Sequence, residues 1–381
     1  MASSSVKRIL IWEALPFLGG GQRISLQVGR ALRLSGRYEV VFLLPGKGPF
    51  SRMLENEGFE CRFLFLGDYS LGKKSVSDYL HFVVNSLGLL PRFREVIARY
   101  EFDALYVGGT RALIWSAVVA KMLRVPAIWH IHNIFEDPRV RSLLGWFGKA
   151  DSVREIVCVS QCVREQFPKL KGKSSVLYNA VDLERFKAAQ CETVQSRNGP
   201  VLLAISNLQP VKRLEDLIAA TSALIEKHPA AQVYIAGAER DETAVYAKRL
   251  KKLVSETGLE GKVLFLGHRD DIPELLGRAD ICVGMGREAC PLFVLESFAA
   301  GTPVVGPDIS GTKELIEKCG GGLVYPFGNV EQLGATLVHL VGTPSLREKF
   351  SLKAKRFAAE CSMESFGEEV LRRFDLILKN S

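Results

Sequence analysis

The chain has 381 residues, 47% hydrophobic and 24% charged, with 50 Lys and Arg against 42 Asp and Glu for a net charge of +8. At roughly 150 residues per domain the length predicts two domains, and the composition excludes a disordered, collagen-like or coiled-coil chain. No window approaches the run of about eighteen apolar residues that a transmembrane helix needs, and the first apolar run stops at Glu13 without the small-residue site of a secretory signal.

Read in chain order, KRILIW, EVVFLL, CRFLFL, DALYVG, AIWHIH, EIVCVS and SSVLYN are short, branched-rich runs that predict buried strands. Helix-length segments lie between most of them: 22–35, 51–58, 78–100 and 111–123. After a polar stretch, Ala188–Asn198, the pattern restarts with PVLLAIS, AQVYIAG, KVLFLG, DICVGM and TPVVG. Gly36, Gly58, Gly258 and Gly301 stand where helices should stop, and Pro344–Ser381 reads as helices only. Such alternation predicts two doubly wound parallel sheets in tandem, joined by a linker near 186–199. Ligands of these folds bind beyond the carboxyl ends of the strands, so the chemistry belongs on the loops that follow them.

The eight cysteines (61, 158, 162, 191, 282, 290, 319 and 361) form no short disulfide framework and no paired CxxC knuckles. Runs such as IVCVS and DICVG place them as small hydrophobes, which predicts reduced thiols in a cytoplasmic protein. Charge is uneven. Residues 1–195 carry 27 Lys and Arg against 18 Asp and Glu, a net of +9, whereas 196–381 carry 23 against 24. A basic first half predicts an anionic partner, a phosphorylated acceptor or lipid headgroups, unless it is simply a solvated face. No RNP-like run, zinc finger or basic helix is present, so nucleic acid is not expected.

Several loops carry candidate chemistry. Gly19, Gly20 and Gly21 precede a helix start at Gln22, where bare backbone and helix amides suit an anion. The spacing departs from GxGxxG, with Ile24 in place and Leu44-Pro45 ending the second strand, which disfavours a dinucleotide fingerprint. His130 and His132, two apart in a strand, share a face, and His132 at the strand's end could hydrogen-bond a substrate. No Cys, Asp or Glu set accompanies them to make a metal site. Lys212 and Arg213 open a helix, where cations are unfavourable unless an anion such as phosphate lies between. In GREACPLFVLESFAAGTPVV, Pro291 suits the first position of a helix over Leu292–Ala300, leaving Glu288 on the loop and Glu296 a turn inside. Two such carboxylates are not the facing pair of a glycosidase but suit the hydroxyls of a polyhydroxyl ligand. DISGTKELI offers a further Gly–Thr turn, at Thr312, for phosphate, while the HRD at 268–270 lacks every other kinase signature.

Together these features resemble the retaining family-4 glycosyltransferases of the GT-B fold (glycosyl transferases group 1), over most of the chain. The Gly19–Gly21 loop is similar to that family's GG motif, and LYNAVDLERF to its PNGVDxxxF signature. Lys212 falls at its diphosphate lysine, and Glu288 through Pro303 resembles its EGFGLxxLEAMAxGxPVV block. Three positions depart: Asn207 replaces the Arg of GRL, Met285-Gly286 replaces Pro-Ser, and Ala289-Cys290-Pro291 replaces the GFG turn.

The resemblance implies an α/β fold of two Rossmann-like domains facing a central cleft, 1–190 for the acceptor and 199–365 for the nucleotide-sugar, with 366–381 returning to the first. It implies that Glu288, with the loop Ala289, Cys290, Pro291 and Leu292, holds the donor sugar and its phosphates. Glu296 would bind the ribose hydroxyls, and Lys212 with Arg213 and Asn207 the diphosphate. The stretch around Arg269 would meet the base and Thr312 a phosphate. Gly20 and Gly21 would approach the phosphate, with His132 on the sugar. Sugar would pass from a nucleotide-sugar, UDP favoured, to a hydroxyl acceptor in glycolipid or polysaccharide synthesis. Retention would follow front-face attack, with a donor phosphate oxygen taking the acceptor's proton. No metal and no cofactor are implied.

Lys73, Lys74, Arg92, Arg94 and Arg99 flank the apolar run YLHFVVNSLGLL, which reads either as a core helix or as a basic amphipathic surface for an anionic membrane and a lipid-linked acceptor. That second reading would place the cytoplasmic protein on the membrane's inner face. The rival readings are a sugar-nucleotide epimerase or phosphorylase of the same architecture, and a sugar-nucleotide-binding protein without catalysis.

Overall fold

A computed structural model describes residues 6–67, 88–89, 91–96, 100–190, 199–239 and 243–379. Lys73, Lys74, Arg99 and most of YLHFVVNSLGLL lie outside this set, while Arg92 and Arg94 are exposed. The chain forms two compact units, residues 1–178 with 364–381, and residues 179–363.

In the first unit, seven strands make one sheet: β1 (Lys7–Trp12), β2 (Tyr38–Leu44), β3 (Glu60–Phe63), β4 (Ala104–Val107), β5 (Ala127–Ile131), β6 (Val153–Cys158) and β7 (Ser174–Val176). Their order is β3-β2-β1-β4-β5-β6-β7, every neighbour parallel. Helices cover the sheet, so β4 is apolar along its length and β1 from Ile9 onward, and Ile9 through Trp12 are fully buried. The Gly20–Leu34 helix lays Ile24, Leu26, Val28 and Leu32 on it. It approaches so closely at Gly29 that a Cβ there would stand 2.8 Å from the Phe42 ring.

The second unit repeats the plan with β8 (Val201–Ile205), β9 (Gln232–Ala236), β10 (Val263–Gly267), β11 (Ile281–Val283), β12 (Val304–Pro307) and β13 (Gly322–Tyr325). The order is β10-β9-β8-β11-β12-β13, again all parallel. One core runs through Leu202, Leu217, Ile235, Leu250, Ile281, Val305 and Leu337. Gly36, Gly58, Gly258 and Gly301 all adopt the left-handed conformation in which helices stop. The helix Leu183–Gln190 packs on the Ile272–Arg278 and Leu292–Ala300 helices, and the Val181 N–H donates to the Cys361 carbonyl at 2.9 Å. The second unit therefore begins at Asn179, ahead of the linker expected near 186–199, of which 191–198 lie outside the described residues.

The described part of the tail forms two helices, Pro344–Glu360 and Met363–Lys379. From Glu364 onward the last helix belongs to the first unit. Arg373, 7% exposed, is bound by Glu155 of β6, by Ser175 of β7 and, at 2.7 Å, by Glu369. Asp375 accepts from Arg37 at 2.7 Å and from the Tyr38 hydroxyl at 2.7 Å. Phe374 packs against the rings of Tyr38 and Tyr106 at tilted angles. Among the described residues no helix is long and apolar enough to cross a membrane, and none of the described cysteines forms a disulfide.

All four tryptophans (12, 115, 129 and 146) fall in the first unit, so their fluorescence reports that unit alone. Arg373→Ala leaves the half-buried Glu155 without its cation and should cost about 3 kcal/mol in urea unfolding followed by tryptophan emission. An unchanged midpoint would show that the helix docks by its apolar face alone.

Candidate functional site

In an open parallel sheet the strand order reverses at one point, where the loops leave on opposite faces and open a crevice. In the second unit that point lies between β8 and β11, in the first between β1 and β4.

The loop after β8 runs from Ser206 through a short turn, Pro210–Lys212, into the helix Leu214–Lys227. Gly237, at the end of β9, touches this loop so tightly that a Cβ would meet the Ser206 carbonyl oxygen at 1.9 Å. Asn207 is half-buried beside that contact. Arg213 is left-handed, with φ of 53°, a strained conformation for a residue bearing a Cβ. Its guanidinium turns onto Asp216 at 2.6 and 3.1 Å, while Lys212 pairs with Glu288 of the loop after β11. The anions beside the two cations at this helix start are therefore carboxylates, which relieve the conflict with the helix dipole. Lys212 and Glu288 are 24% and 28% exposed, within reach of a ligand.

The Glu288 loop is held from two more sides. The Gly311 N–H donates to the Glu288 carbonyl at 2.8 Å, and a Cβ on Gly311 would stand 1.9 Å from the Ala289 oxygen. The preceding residue, Ser310, is left-handed with φ of 57°. The buried Asn179 amide donates to the Cys290 carbonyl at 2.8 Å, across 111 residues of sequence. Cys290 and Pro291 are buried, Ala289, Leu292 and Glu296 half-buried. The helix Leu292–Ala300 has the expected bounds, with Pro291 as its N-cap rather than its first residue.

Lys212, Glu288 and the loop through Leu292 thus come together. Two other expected residues are placed differently. Thr312 is wholly buried, its hydroxyl without a partner, because its side chain packs over Gly306. Arg269 is exposed and paired with Asp271 at 2.7 Å.

In the first unit, the chain leaves β1 at Glu13, whose carboxyl is fully buried. Burial pushes that carboxyl up, opposed by hydrogen bonds from Ser25 and from Gln22 at 3.0 Å. Gln22 in turn accepts the Gly19 N–H at 3.2 Å, which sets the glycine loop at the helix start. Gly108 after β4 closes over this group, where a Cβ would stand 2.3 Å from Glu13 Oε1, and Gly109 lies against Ala14. The His132 ring lies against Gly21, 3.7 Å from where its Cβ would be, and 4.1 Å from the His130 ring centroid. His130 binds Tyr106, while Nε2 of both histidines is buried without a partner. Gly20 begins the helix and is exposed.

Asn179 and Glu13 escaped the sequence reading. Asn179 lay inside the LYNAVDLERF signature without a role, and Glu13 registered only as the residue that ends an apolar run.

Asn179→Asp keeps the side chain's shape but replaces the donating amide by an acceptor, so it should cost about 2 kcal/mol. It should also speed hydrogen exchange across 288–292 and at Gly311; unchanged exchange there would deny Asn179 its hold on the loop. Burial pushes the His132 imidazole down to about 4, so it is neutral at pH 7. Unfolded histidine titrates near about 6.5. Between these values only the unfolded chain takes up the proton, so the first unit should lose stability as pH falls from about 6.5 to 4. His132→Asn should flatten that slope in tryptophan-detected urea unfolding; an equal slope would place the proton uptake elsewhere.

Residues 18–185 match the family profile Glycosyltransferase Family 4, and residues 190–357 match Glycosyl transferases group 1. An uncharacterized glycosyltransferase of Haemophilus influenzae is 25% identical over 360 residues, covering 92% of this chain and 95% of its own. N-acetyl-alpha-D-glucosaminyl L-malate synthase of Bacillus anthracis is 23% identical over 382 residues, covering 95% and 94%. Among solved structures, Anabaena HepE in complex with UDP superposes with a TM-score of 0.81 at 19% identity, over 97% of this chain and 99% of that one. The chain belongs to the group 1 and family 4 glycosyltransferases, and its two doubly wound units are those of the GT-B fold.

Proposed function

We propose that this glycosyltransferase is a retaining, metal-independent enzyme that needs no cofactor. It moves a hexose from a UDP-sugar to a hydroxyl acceptor in glycolipid or polysaccharide synthesis, and the acceptor is lipid-linked. The observation that carries the donor reading is the half-buried Lys212–Glu288 pair at the strand-order reversal of the second unit. Such a pair has an obvious ligand chemistry: a diphosphate for the ammonium and sugar hydroxyls for the carboxylate. The UDP bound to HepE supports uracil as the base.

Breaking the sugar–phosphate bond builds negative charge on the leaving diphosphate. Lys212 stabilises that charge, aided by amides at the start of the Leu292–Ala300 helix. The incoming diphosphate competes with Glu288 for Lys212, which frees the carboxylate to orient the sugar ring as its anomeric carbon gains positive character. Glu296 holds the ribose, and His132 meets the sugar as a neutral imidazole whose unpartnered Nε2 can bond a hydroxyl. Gly20 and Gly21 leave room for the phosphates.

A thermal-shift series with UDP, GDP and ADP tests the base. The matching nucleotide at about 100 times its dissociation constant should stabilise by about 2.7 kcal/mol. Lys212→Ala should weaken UDP binding about tenfold or more. Glu288→Gln should leave UDP bound at least as tightly, since a competing carboxylate is gone, yet lower turnover of the UDP-sugar at least about a hundredfold. A response to GDP alone would overturn the UDP reading. Sugar released without acceptor would favour an epimerase or phosphorylase, and binding without turnover would favour a non-catalytic protein.

A further inference from the structure

The helix Pro138–Phe147 holds to the first unit through one buried residue, Leu144, and turns an apolar side outward. Trp146 is 69% exposed, whereas the other tryptophans, Trp12, Trp115 and Trp129, are at most 4% exposed. Leu143 is exposed beside it, and Pro138, Arg139, Ser142, Leu143 and Trp146 line a shallow depression. The helix Thr110–Leu123, which touches this one, exposes Val118 and Met122.

Along this stretch of sequence basic residues outnumber acidic ones. Between Asp103 and Asp151 the only acidic residues are Glu136 and Asp137, against Arg111, Lys121, Arg124, Arg139, Arg141 and Lys149. Asp137 is already engaged, capping the helix by accepting the Arg139 N–H at 2.8 Å.

We propose that this face docks the chain on an anionic lipid surface. An indole favours the headgroup region, with apolar groups below it and long cations reaching back to phosphates, and all three kinds of side chain stand here together. A second copy of the chain fits poorly, because a twofold contact would set these cations against themselves. The face shares no residue with either loop cluster described above. Its purpose rests on the reading of a lipid-linked acceptor, but its existence does not.

The test uses the full chain and vesicles of phosphatidylcholine with or without phosphatidylglycerol. Because the other three tryptophans are buried, emission quenched by acrylamide comes from Trp146. Phosphatidylglycerol vesicles should shield that emission and shift it to the blue, and salt should reverse the effect. Trp146→Ser should abolish the shielding and weaken co-sedimentation on the order of tenfold. Changing Arg139, Arg141 and Lys149 to Gln should weaken it about fivefold per cation. The UDP-induced thermal shift should survive in all these variants. Its absence from the unmodified chain would sink the donor reading and leave the docking face standing. Vesicle binding indifferent to Trp146 and the cations, no vesicle binding, or shielding that grows with protein concentration without lipid would each overturn the proposal, the last in favour of self-association.

Discussion

A lysine and a glutamate that face each other in the second unit, Lys212 and Glu288, decide what that unit can hold. At about a quarter exposure the pair is neither fully hydrated nor sealed, and a contact of this kind is worth on the order of 1 kcal/mol. Charge-assisted hydrogen bonds to a ligand are worth about 1.5–3 kcal/mol each, so a diphosphate can displace Glu288 from Lys212 at little cost. The pair keeps both side chains aimed at one place.

That aim depends on how the loops themselves are held. The Glu288 loop is fixed at two carbonyls, by Gly311 on Glu288 and by Asn179 on Cys290, so the carboxylate starts from a rigid base. The glycine loop of the first unit is set by the same means, through Glu13, Gln22 and the Gly19 N–H. Preorganised groups need little rearrangement when charge develops, which is the physical advantage of holding a site this way. Backbone strain at Arg213 and Ser310 belongs to the same loops, whose turns need left-handed residues where no glycine stands.

Much of the fold was legible because parallel strands buried on both faces must be continuous apolar runs, and KRILIW or VLLAI can be little else. β13 was missed, since its four residues, Gly322–Tyr325, follow Gly320 and Gly321 and resemble a turn. The start of the second unit was read too late because LERFKAAQ has the polar look of a linker, although it is a helix packed on two others. Lys212 and Glu288 were visible as odd charges, a cation at a helix start and a carboxylate before one. Their pairing was not, because nothing in one sequence reports a contact across 76 residues. The partners chosen by Arg213 and Arg269, each a carboxylate within three residues, were local enough to have been foreseen.

On the proposed reading a nucleoside diphosphate sits on the loops that follow β8 and β11. Hydrogen exchange of the whole chain with and without UDP is the decisive measurement. Saturating UDP should slow exchange over 206–213 and 284–296, an effect lost in Lys212→Ala. Protection confined to other loops, or none with saturating UDP, would contradict it.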